Sequence, residues 1–234
     1  MKVRTALTIA GSDSGGGAGI QADLKTFMDH DVYGMSVVTG LTAQNTQGVR
    51  RVELTSPEMV RDQLLAVFED LPVHAIKTGM LGSAALIDAV CDVLEARSNL
   101  PPLVVDPVMV AKGGASIRIP FACITTPNLP ELAVLGELSG TILIKDGHGS
   151  ERLVRDRLIH QGCITVYQHR RTRSKNTHGT GCTLSAAIAA RLARGDLIHD
   201  ACRRSIKYVS GLIHRSRDSI GSGHGPLLHG LRSR

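Results

Sequence analysis

The chain contains no tryptophan and only three tyrosines and three phenylalanines among its 234 residues. Proteins that bind single-stranded nucleic acid stack the bases on aromatic side chains, so this scarcity argues against that class. The chain also lacks any apolar run near the roughly 20 residues that a membrane-spanning helix needs, so we expect no membrane partner. Residues 1–11 lack a full-length signal-peptide core and predict a buried strand instead.

Paired cysteines are missing as well. The five cysteines are scattered, odd in number and never spaced Cys-x-x-Cys; they are Cys91, Cys123, Cys163, Cys182 and Cys202. This pattern argues against both a zinc site and a disulfide framework. It favours a reducing compartment, and we expect a cytoplasmic protein.

Acidic residues are scarce in the last third of the chain. Residues 150–234 hold 16 Lys and Arg against 5 Asp and Glu, a net charge of +11, whereas residues 1–149 hold 11 against 16, a net charge of −5. A basic region attracts polyanions such as ATP. No nucleic-acid-binding motif accompanies it, so we expect no nucleic-acid partner. The alternative is a solvated surface that is rich in arginine.

Apolar, β-rich runs alternate with helical patterns along the chain. The predicted strands are Thr5–Ala10, Gly34–Thr42, Val73–Lys77, Leu103–Val105, Cys123–Thr126 and Thr141–Lys145. The predicted helices are one with Ile20, Leu24, Phe27 and Met28 on one face, Pro57–Asp70 with Ser56 as N-cap, Ser83–Ala96, one that starts after Cys182 and ends near Gly195, and one near Asp200–Ile213. This alternation predicts a single α/β domain over residues 1–234, with a mostly parallel central sheet and helices on both faces.

Short polar or glycine-rich strings follow the predicted strands. Ligands of such sheets bind beyond the carboxyl ends of the strands, so these strings should converge on one rim. They are Gly11-Ser-Asp-Ser-Gly15, Gln44-Asn45, Thr78-Gly-Met80, Asp106-Pro107, Thr126-Pro-Asn128 and Lys145-Asp-Gly-His148.

The most informative string is Asn176-Thr-His-Gly-Thr-Gly-Cys-Thr183, which precedes an alanine-rich helical pattern. Gly179 and Gly181 allow a sharp turn, and the helix that follows offers unpaired N–H groups and the positive end of its dipole to an anion. A cysteine at a helix N-terminus has its thiolate favoured, so Cys182 is a candidate base or nucleophile. The alternative is a glycine-rich turn that happens to start a helix.

Three familiar motifs fail. The loop 11–19 is not a dinucleotide site, because no small residue follows it at position 20 and Val32 stands where an acidic residue is expected. It is not a phosphate-binding P-loop either, because no Gly-Lys-Ser/Thr follows it. Lys77-Thr-Gly79 matches a β-lactamase element, but no lysine in the chain has a serine three residues before it.

Together these strings resemble the hydroxymethylpyrimidine/phosphomethylpyrimidine kinases of thiamine biosynthesis, in the ribokinase-like superfamily. The resemblance runs almost end to end and rests on Ala10–Asp23, Thr42–Thr46, Lys77–Met80, Val105–Gly114, Thr126–Glu131, Asn176–Thr183 and Gly223–Pro226. It implies a kinase that uses ATP and Mg²⁺ to phosphorylate 4-amino-5-hydroxymethyl-2-methylpyrimidine and then its monophosphate to the diphosphate. The alternatives are a pyridoxal kinase of the same superfamily and a pyrimidine-binding protein with reduced turnover.

The resemblance also implies a role for each matching position. The expected pyrimidine contacts are Gly11, Asp23, Gln44, Met80 and Val108. The expected anion hole over the transferring phosphate comprises Gly179, Thr180, Gly181 and Cys182, with Cys182 as the base. The expected nucleotide contacts are Lys145, Asn128 and Thr177, and the expected Mg²⁺ group comprises Asp106 and Glu131, with Asn128 beside them. His148, His178 and His224 are further candidates for lining the site.

The chain departs from the family in three places. Residues 115–125 and 132–144 are too few for the helices that the family usually has there, and Asp146 replaces the first glycine of Lys-Gly-Gly-His. We expect the short segments to leave apolar surface on the sheet. The family is usually dimeric, and we expect a homodimer here, which could cover that surface.

Overall fold

A computed structural model describes residues 2–108, 119, 121–147, 149, 151–217 and 220–231. Its strands are β1 (Arg4–Asp13), β2 (Val32–Asn45), β3 (Gly48–Leu54), β4 (Ile76–Thr78), β5 (Leu103–Val105), β6 (Ile124–Thr125), β7 (Ile142–Ile144), β8 (Leu153–His160) and β9 (Cys163–Arg170). Its helices are α1 (Gly19–Asp29), α2 (Pro57–Asp70), α3 (Ala84–Glu95), α4 (Leu129–Leu135), α5 (Thr180–Ala193) and α6 (Ile198–Arg215).

All the strands belong to one sheet, in the order β3-β2-β1-β4-β5-β6-β7-β8-β9. The six strands from β2 to β7 in this order run parallel, whereas β3, β8 and β9 pair antiparallel at the two ends. The predicted α/β fold with a mostly parallel sheet is therefore confirmed. The carboxyl ends of the parallel strands meet at one edge, which is the rim where ligands of this architecture bind.

Helices cover both faces of the sheet. On one face α5 packs against α1, α6 and the central strands, and on the other α2 and α3 pack together over β2 and its neighbours. Every residue of α5 from Thr183 to Ala190 is buried. Four of these are alanines, whose small side chains let the helix lie close to the sheet and to both neighbouring helices.

The local signals for the second and third helices are confirmed. Ser56 caps α2 by accepting the N–H of Met59, with Pro57 at the first helical position. Ser83 caps α3 in the same way. One position in α1 is wrong: Met28 was expected on the buried face, but it is 77% exposed. The helix packs against the core through Leu24 and Phe27 instead.

The three antiparallel strands, β3, β8 and β9, were not predicted. All seven residues of β3 are exposed. A strand that buries no face needs no regular alternation of apolar and polar residues, and this one has none. β8 and β9 form a hairpin whose turn residues, Gln161 and Gly162, both have positive φ. Positive φ at both central residues is typical of a type I′ turn, but Gln161 stands where Asn, Asp or Gly usually marks such a turn, so the sequence signal was weak. Within the described residues, no helix has the length and apolar content to cross a membrane.

The short segments behave partly as expected. Of the segment 115–125, only Ile119 and residues 121–125 lie within the described residues. The segment 132–144 holds the end of the seven-residue helix α4 and the strand β7. On β9, Ile164 and Val166 are 66% and 52% exposed, on the face that alternation turns away from α6. Val134 of α4 is 63% exposed. Apolar surface is therefore uncovered at this end of the sheet.

Candidate active site

A cavity of about 690 Å³ opens at the carboxyl edge of the sheet, a size typical of small-molecule sites. Ten of the fourteen predicted site residues line it. They are Asp106, Val108, Asn128, Glu131, Lys145, Thr177, Gly179, Thr180, Gly181 and Cys182. The predicted convergence of strings from distant parts of the chain is therefore present for the anion-hole, nucleotide and metal positions.

The start of α5 has the local geometry of an anion-binding site. Gly179 is its N-cap, with a left-handed φ of 78°. A Cβ there would collide with the carbonyl oxygen of Gly17, so only glycine fits. The N–H of Thr183 bonds to the carbonyl of Gly179, and among the described residues the N–H groups of Gly181 and Cys182 have no acceptor. Two free N–H groups at the positive end of a buried helix favour an anion.

The thiol of Cys182 does not behave as the helix position predicted. Burial of the thiol raises its pKa to about 11, although the nearby Lys77 ammonium lowers it in part. The expectation of a favoured thiolate is therefore wrong for the protein without ligands. Its physical reason is desolvation, which disfavours a charged sulfur more than the helix terminus and one cation favour it.

Lys145 lies opposite the start of α5, within an acidic pair. Its Nζ is 2.9 Å from Asp106 Oδ1 and 3.8 Å from Glu131 Oε2. Burial alone would lower the pKa of Lys145, but these two carboxylates raise it, so the side chain stays charged. A Cβ built on Gly181 would lie 3.4 Å from Lys145 Nζ, so the anion hole and this ammonium face the same small volume.

Asn128 and Glu131 form a capping box at the start of α4. Asn128 Oδ1 accepts the N–H of Glu131 at 2.8 Å, and Glu131 Oε2 accepts the N–H of Asn128 at 2.7 Å. This box and the contact with Lys145 fix the Glu131 carboxylate beside Asp106. The described residues contain no group of three or more His, Cys, Asp or Glu side chains arranged for a metal.

Asp23 and Lys77 form an ion pair that is completely buried. The Asp23 Oδ2 atom accepts from Lys77 Nζ at 2.8 Å and from Thr8 Oγ1 at 2.6 Å, and both charged side chains are 0% exposed. Burial alone would lower the pKa of Lys77, but the Asp23 carboxylate raises it, so the ammonium keeps its proton. Asp23 Oδ1 has no partner. The role of Asp23 in binding a pyrimidine stays a prediction.

The remaining predicted pyrimidine contacts lie beside the cavity rather than along its lining. A Cβ on Gly11 would collide with the Cε of Met80, so these two residues touch. Gln44 lies 3.2 Å from His178, measured between the side-chain nitrogens Nε2. His224 is exposed, and His148 lies outside the described residues.

A buried carboxylate, Asp13, organises the glycine loop that follows β1. It accepts hydrogen bonds from the backbone N–H groups of Gly15, Gly17 and Ala18 and from His178 Nε2, which lies 2.9 Å away. Burial would raise the pKa of Asp13, but these hydrogen bonds, that of His178 first, lower it to about 2. The loop before α1 and the loop before α5 are thereby joined by one carboxylate.

The far half of the cavity is apolar and has a basic edge. Its apolar wall comprises Val154, Leu184, Ile206, Val209 and Ile213. Arg171 donates to the carbonyl oxygens of Asp146, Gly147 and Glu151 and so closes the loop between β7 and β8. The Asp146 carboxylate, which departs from the family pattern, accepts the N–H of Arg155 at 3.1 Å.

Two residues of this site were missed in the sequence, Asp13 and Lys77. The signal for Asp13 was an acid followed by one serine and three glycines, because an Asx side chain often accepts backbone N–H groups of the turn that it starts. The signal for Lys77 was a charged residue at the end of an apolar strand, which requires a buried counter-charge.

The chain is similar to known proteins over nearly its whole length. The family model described as phosphomethylpyrimidine kinase matches residues 13–141 and 137–228. The hydroxymethylpyrimidine/phosphomethylpyrimidine kinase of Bacillus subtilis is 41% identical over 261 aligned positions, which cover 98% of this chain and 96% of that protein. The thiamine biosynthesis bifunctional protein ThiED of Geobacter sulfurreducens is 44% identical over 95% of this chain and 51% of its own length.

Solved structures give the same fold. An ADP complex of Bacillus subtilis pyridoxal kinase superposes with a TM-score of 0.88 at 31% identity, covering 97% of this chain and 98% of that one. The phosphomethylpyrimidine kinase of Clostridium difficile superposes with a TM-score of 0.73 at 38% identity, covering 90% and 99%. The two matches of the family model meet at residues 137–141, inside the segment 132–144 that the sequence showed to be short.

Proposed function

The chain belongs to the phosphomethylpyrimidine kinase family, and from that premise we propose that it transfers phosphate from ATP to 4-amino-5-hydroxymethyl-2-methylpyrimidine and then to its monophosphate, in thiamine biosynthesis. One observation carries the proposal. The free N–H groups of Gly181 and Cys182 and the ammonium of Lys145 face one small volume at the rim of the sheet. Fixed positive groups aimed at one point are what a transferring phosphoryl group requires.

Phosphoryl transfer at this point is mainly a matter of position and charge. The anion hole holds the oxygens of the transferring group, and Lys145 leaves its two carboxylates to contact the phosphates of ATP. The substrate hydroxyl attacks the γ-phosphorus of ATP from the side of the glycine loop, ADP leaves, and the hydroxyl proton passes to the thiolate form of Cys182. Because the pKa of the thiol is about 11, this thiolate is a strong base that is seldom populated.

The apolar half of the cavity suits the base of ATP. A flat heterocycle fits between β8 and α6, where Val154, Ile206 and Val209 present apolar surface. The basic edge formed by Arg170, Arg171 and Arg173 suits the nearby phosphates. In this orientation the phosphates point towards the start of α5, where the reaction occurs.

The residues at the rim also fit Mg²⁺. This ion keeps several waters and takes one or two protein carboxylates beside the phosphates of its substrate. Asp106 and Glu131, both held close to Lys145, would supply those carboxylates, and Asn128 fixes the second of them. When bound, the ion would neutralise charge that builds up on the phosphate oxygens.

The pyrimidine would lie next to the glycine loop, between Gly11, Gln44 and Met80, with Val108 towards the phosphate. The unpaired oxygen of Asp23 suits an amino group of the ligand, because a buried acceptor without a partner is costly. Asp23 is 0% exposed, so the ligand must displace a neighbouring group to reach it.

Pyridoxal phosphorylation is the second candidate, because pyridoxal kinase structures superpose with a higher TM-score than the phosphomethylpyrimidine kinase structure does. An assay of ADP release with the hydroxymethylpyrimidine, its monophosphate and pyridoxal as separate substrates tests both. We expect turnover with both pyrimidines that exceeds turnover with pyridoxal. Turnover with pyridoxal alone would replace the first function by the second, and turnover with none would leave a pyrimidine-binding protein, which calorimetry would detect.

We also propose a homodimer in the cytoplasm. Its support is the exposed apolar surface of Val134, Ile164 and Val166, which a second copy would cover, and five free cysteines that suit a reducing compartment. Sedimentation over a range of concentrations, with thermal melts of the same samples, tests the dimer. A monomer with a melting temperature that is independent of concentration would contradict it.

A further inference from the structure

Gln44 lies beside a histidine that is itself held by a buried carboxylate. From this arrangement we propose that His178 is a specificity-determining residue, which fixes the orientation of the Gln44 amide towards the substrate. The proposal rests on the proposed function, because it concerns how the same site selects one class of pyrimidine.

The first step is the proton on His178. The Asp13 side chain is 4% exposed, and one of its oxygens lies 2.9 Å from His178 Nε2. An ionised carboxylate only accepts hydrogen bonds, so Nε2 must carry the proton. The ring cannot move away easily, because it lies against the backbone of Gly17, where a Cβ would come within 2.5 Å of His178 Cδ2.

The second step is the Gln44 amide. As placed, its nitrogen lies 3.2 Å from His178 Nε2 and its oxygen 3.3 Å from Thr42 Oγ1. An amide NH₂ and a protonated ring nitrogen are both donors, so they cannot bond to each other. The one proton of His178 Nε2 is donated to Asp13. Exchanging the amide oxygen and nitrogen of Gln44, an assignment that rests on the hydrogen-bond network, places the oxygen instead of the NH₂ beside this N–H and so removes a contact between two donors.

Thr42 requires the same exchange. Its hydroxyl has one proton, which it donates to the carbonyl of Ser12 at 2.9 Å. It can therefore only accept from Gln44, and the amide nitrogen must face it. The backbone of Gln44 is also fixed, because its N–H bonds to Ser14 Oγ at 2.8 Å and its carbonyl accepts from the same hydroxyl at 2.7 Å. Both neighbours thus select one amide orientation.

A fixed amide distinguishes two kinds of pyrimidine edge. An aminopyrimidine presents an amine donor beside a ring-nitrogen acceptor, whereas its 4-oxo counterpart presents an acceptor beside an N–H donor. A carboxamide of one orientation pairs with only one of these edges, and the other leaves polar groups unpaired. Without the N–H of His178 only Thr42 selects the amide orientation, so the amide turns more easily and distinguishes the two edges less well.

The test is the ratio of kcat/KM for the aminopyrimidine to kcat/KM for 5-hydroxymethyl-2-methylpyrimidin-4-one. We expect the wild type to favour the amino form, and His178→Phe to lower the ratio about tenfold, the effect of removing one unfavourable polar contact that opposes the other amide orientation. The matched control is His214→Phe, at an exposed histidine of α6 outside the cavity lining, which should leave the ratio unchanged. Gln44→Leu should lower the ratio as much, with no further fall in the double variant.

A merely structural histidine would give a different result: His178→Phe would lower both values of kcat/KM by one factor and leave the ratio as it was. That outcome overturns the proposal. Thr42→Val removes the other partner of the amide, is expected to lower the ratio as well, and serves if His178→Phe does not fold. If the wild type phosphorylates neither pyrimidine, the proposed function fails. The orientation of the amide is then tested in the same variants by calorimetry, as the ratio of the dissociation constants of the aminopyrimidine and its 4-oxo counterpart.

Discussion

The raised pKa of Cys182 makes a quantitative prediction about the pH dependence of the enzyme. With a pKa of about 11, only about one thiol in a thousand is ionised at pH 8. If the thiolate accepts the proton of the substrate hydroxyl, its population limits the reaction, and it rises tenfold with each pH unit. We therefore expect kcat/KM, which reports the free enzyme, to rise about tenfold per unit between pH 7 and 9.5.

Two variants show whether this rise belongs to the thiol. Cys182→Ala keeps the backbone N–H groups of the anion hole, so ATP affinity should change little. Its turnover at pH 8 should fall roughly 10²-fold, the lower end of the effect of a general base, and its pH profile should be flat. Cys182→Asp supplies a carboxylate that is ionised at neutral pH, and it should restore part of the activity without the alkaline rise.

The measurement is direct quantification of ADP and phosphorylated pyrimidine by chromatography, which avoids coupling enzymes with their own pH limits. A wild-type profile that stays flat from pH 7 to 9.5 would refute the thiolate as base. Turnover of Cys182→Ala within a few fold of the wild type would refute it independently. Either result would assign the rate enhancement to the anion hole and Lys145 alone.

Three further predictions concern the ionic groups around the site. Lys77→Met should lower the free energy of unfolding by about 3–5 kcal/mol, because it leaves the Asp23 charge buried and unpaired, whereas Lys77→Met with Asp23→Leu should recover most of that loss in urea titrations. The pKa of Asp13 is lowered from 3.8 to about 2, so its ionisation contributes about 2 kcal/mol to the free energy of unfolding. This contribution is complete above pH 4 and is lost as the pH falls through 2. Asp13→Asn should therefore weaken the dependence of the free energy of unfolding on pH in this acid range. Lys145→Ala should raise the KM for ATP at least tenfold with little change in the KM for the pyrimidine, and equal changes in both would contradict its contact with the phosphates.

The parallel core of the fold could be predicted because its strands are buried on both faces. Leu103–Val105 is an uninterrupted apolar run, and the structure gives the same bounds for β5. The antiparallel edge strands could not be predicted in this way. β3 has the sequence Gly-Val-Arg-Arg-Val-Glu-Leu and buries none of it, so the strand exists through its pairing with β2 rather than through its own pattern.

The site shows the same division. Local chemistry predicted the anion hole, because a glycine turn before a helix has this property wherever it lies in a fold. The thiol pKa depends on what surrounds the sulfur in three dimensions, and no sequence pattern measures that desolvation. The pairing of Asp13 with His178 joins residues 165 positions apart, which no local pattern indicates.

Helix α5 joins the chemistry of the site to the volume of the core. Its first turn supplies the anion hole, and its later turns place Ala186, Ala187, Ala189 and Ala190 at 0% exposure among α1, α6 and the central strands. A helix moves as a stiff rod, so an added methyl group at Ala190 also displaces Gly181 and Cys182, which lie about 12–14 Å along the helix at 1.5 Å per residue. Larger residues at the buried alanines of α5 should therefore lower the catalytic rate before they lower the stability of the fold. The small size of these alanines thus keeps the first turn of the helix in its position at the site.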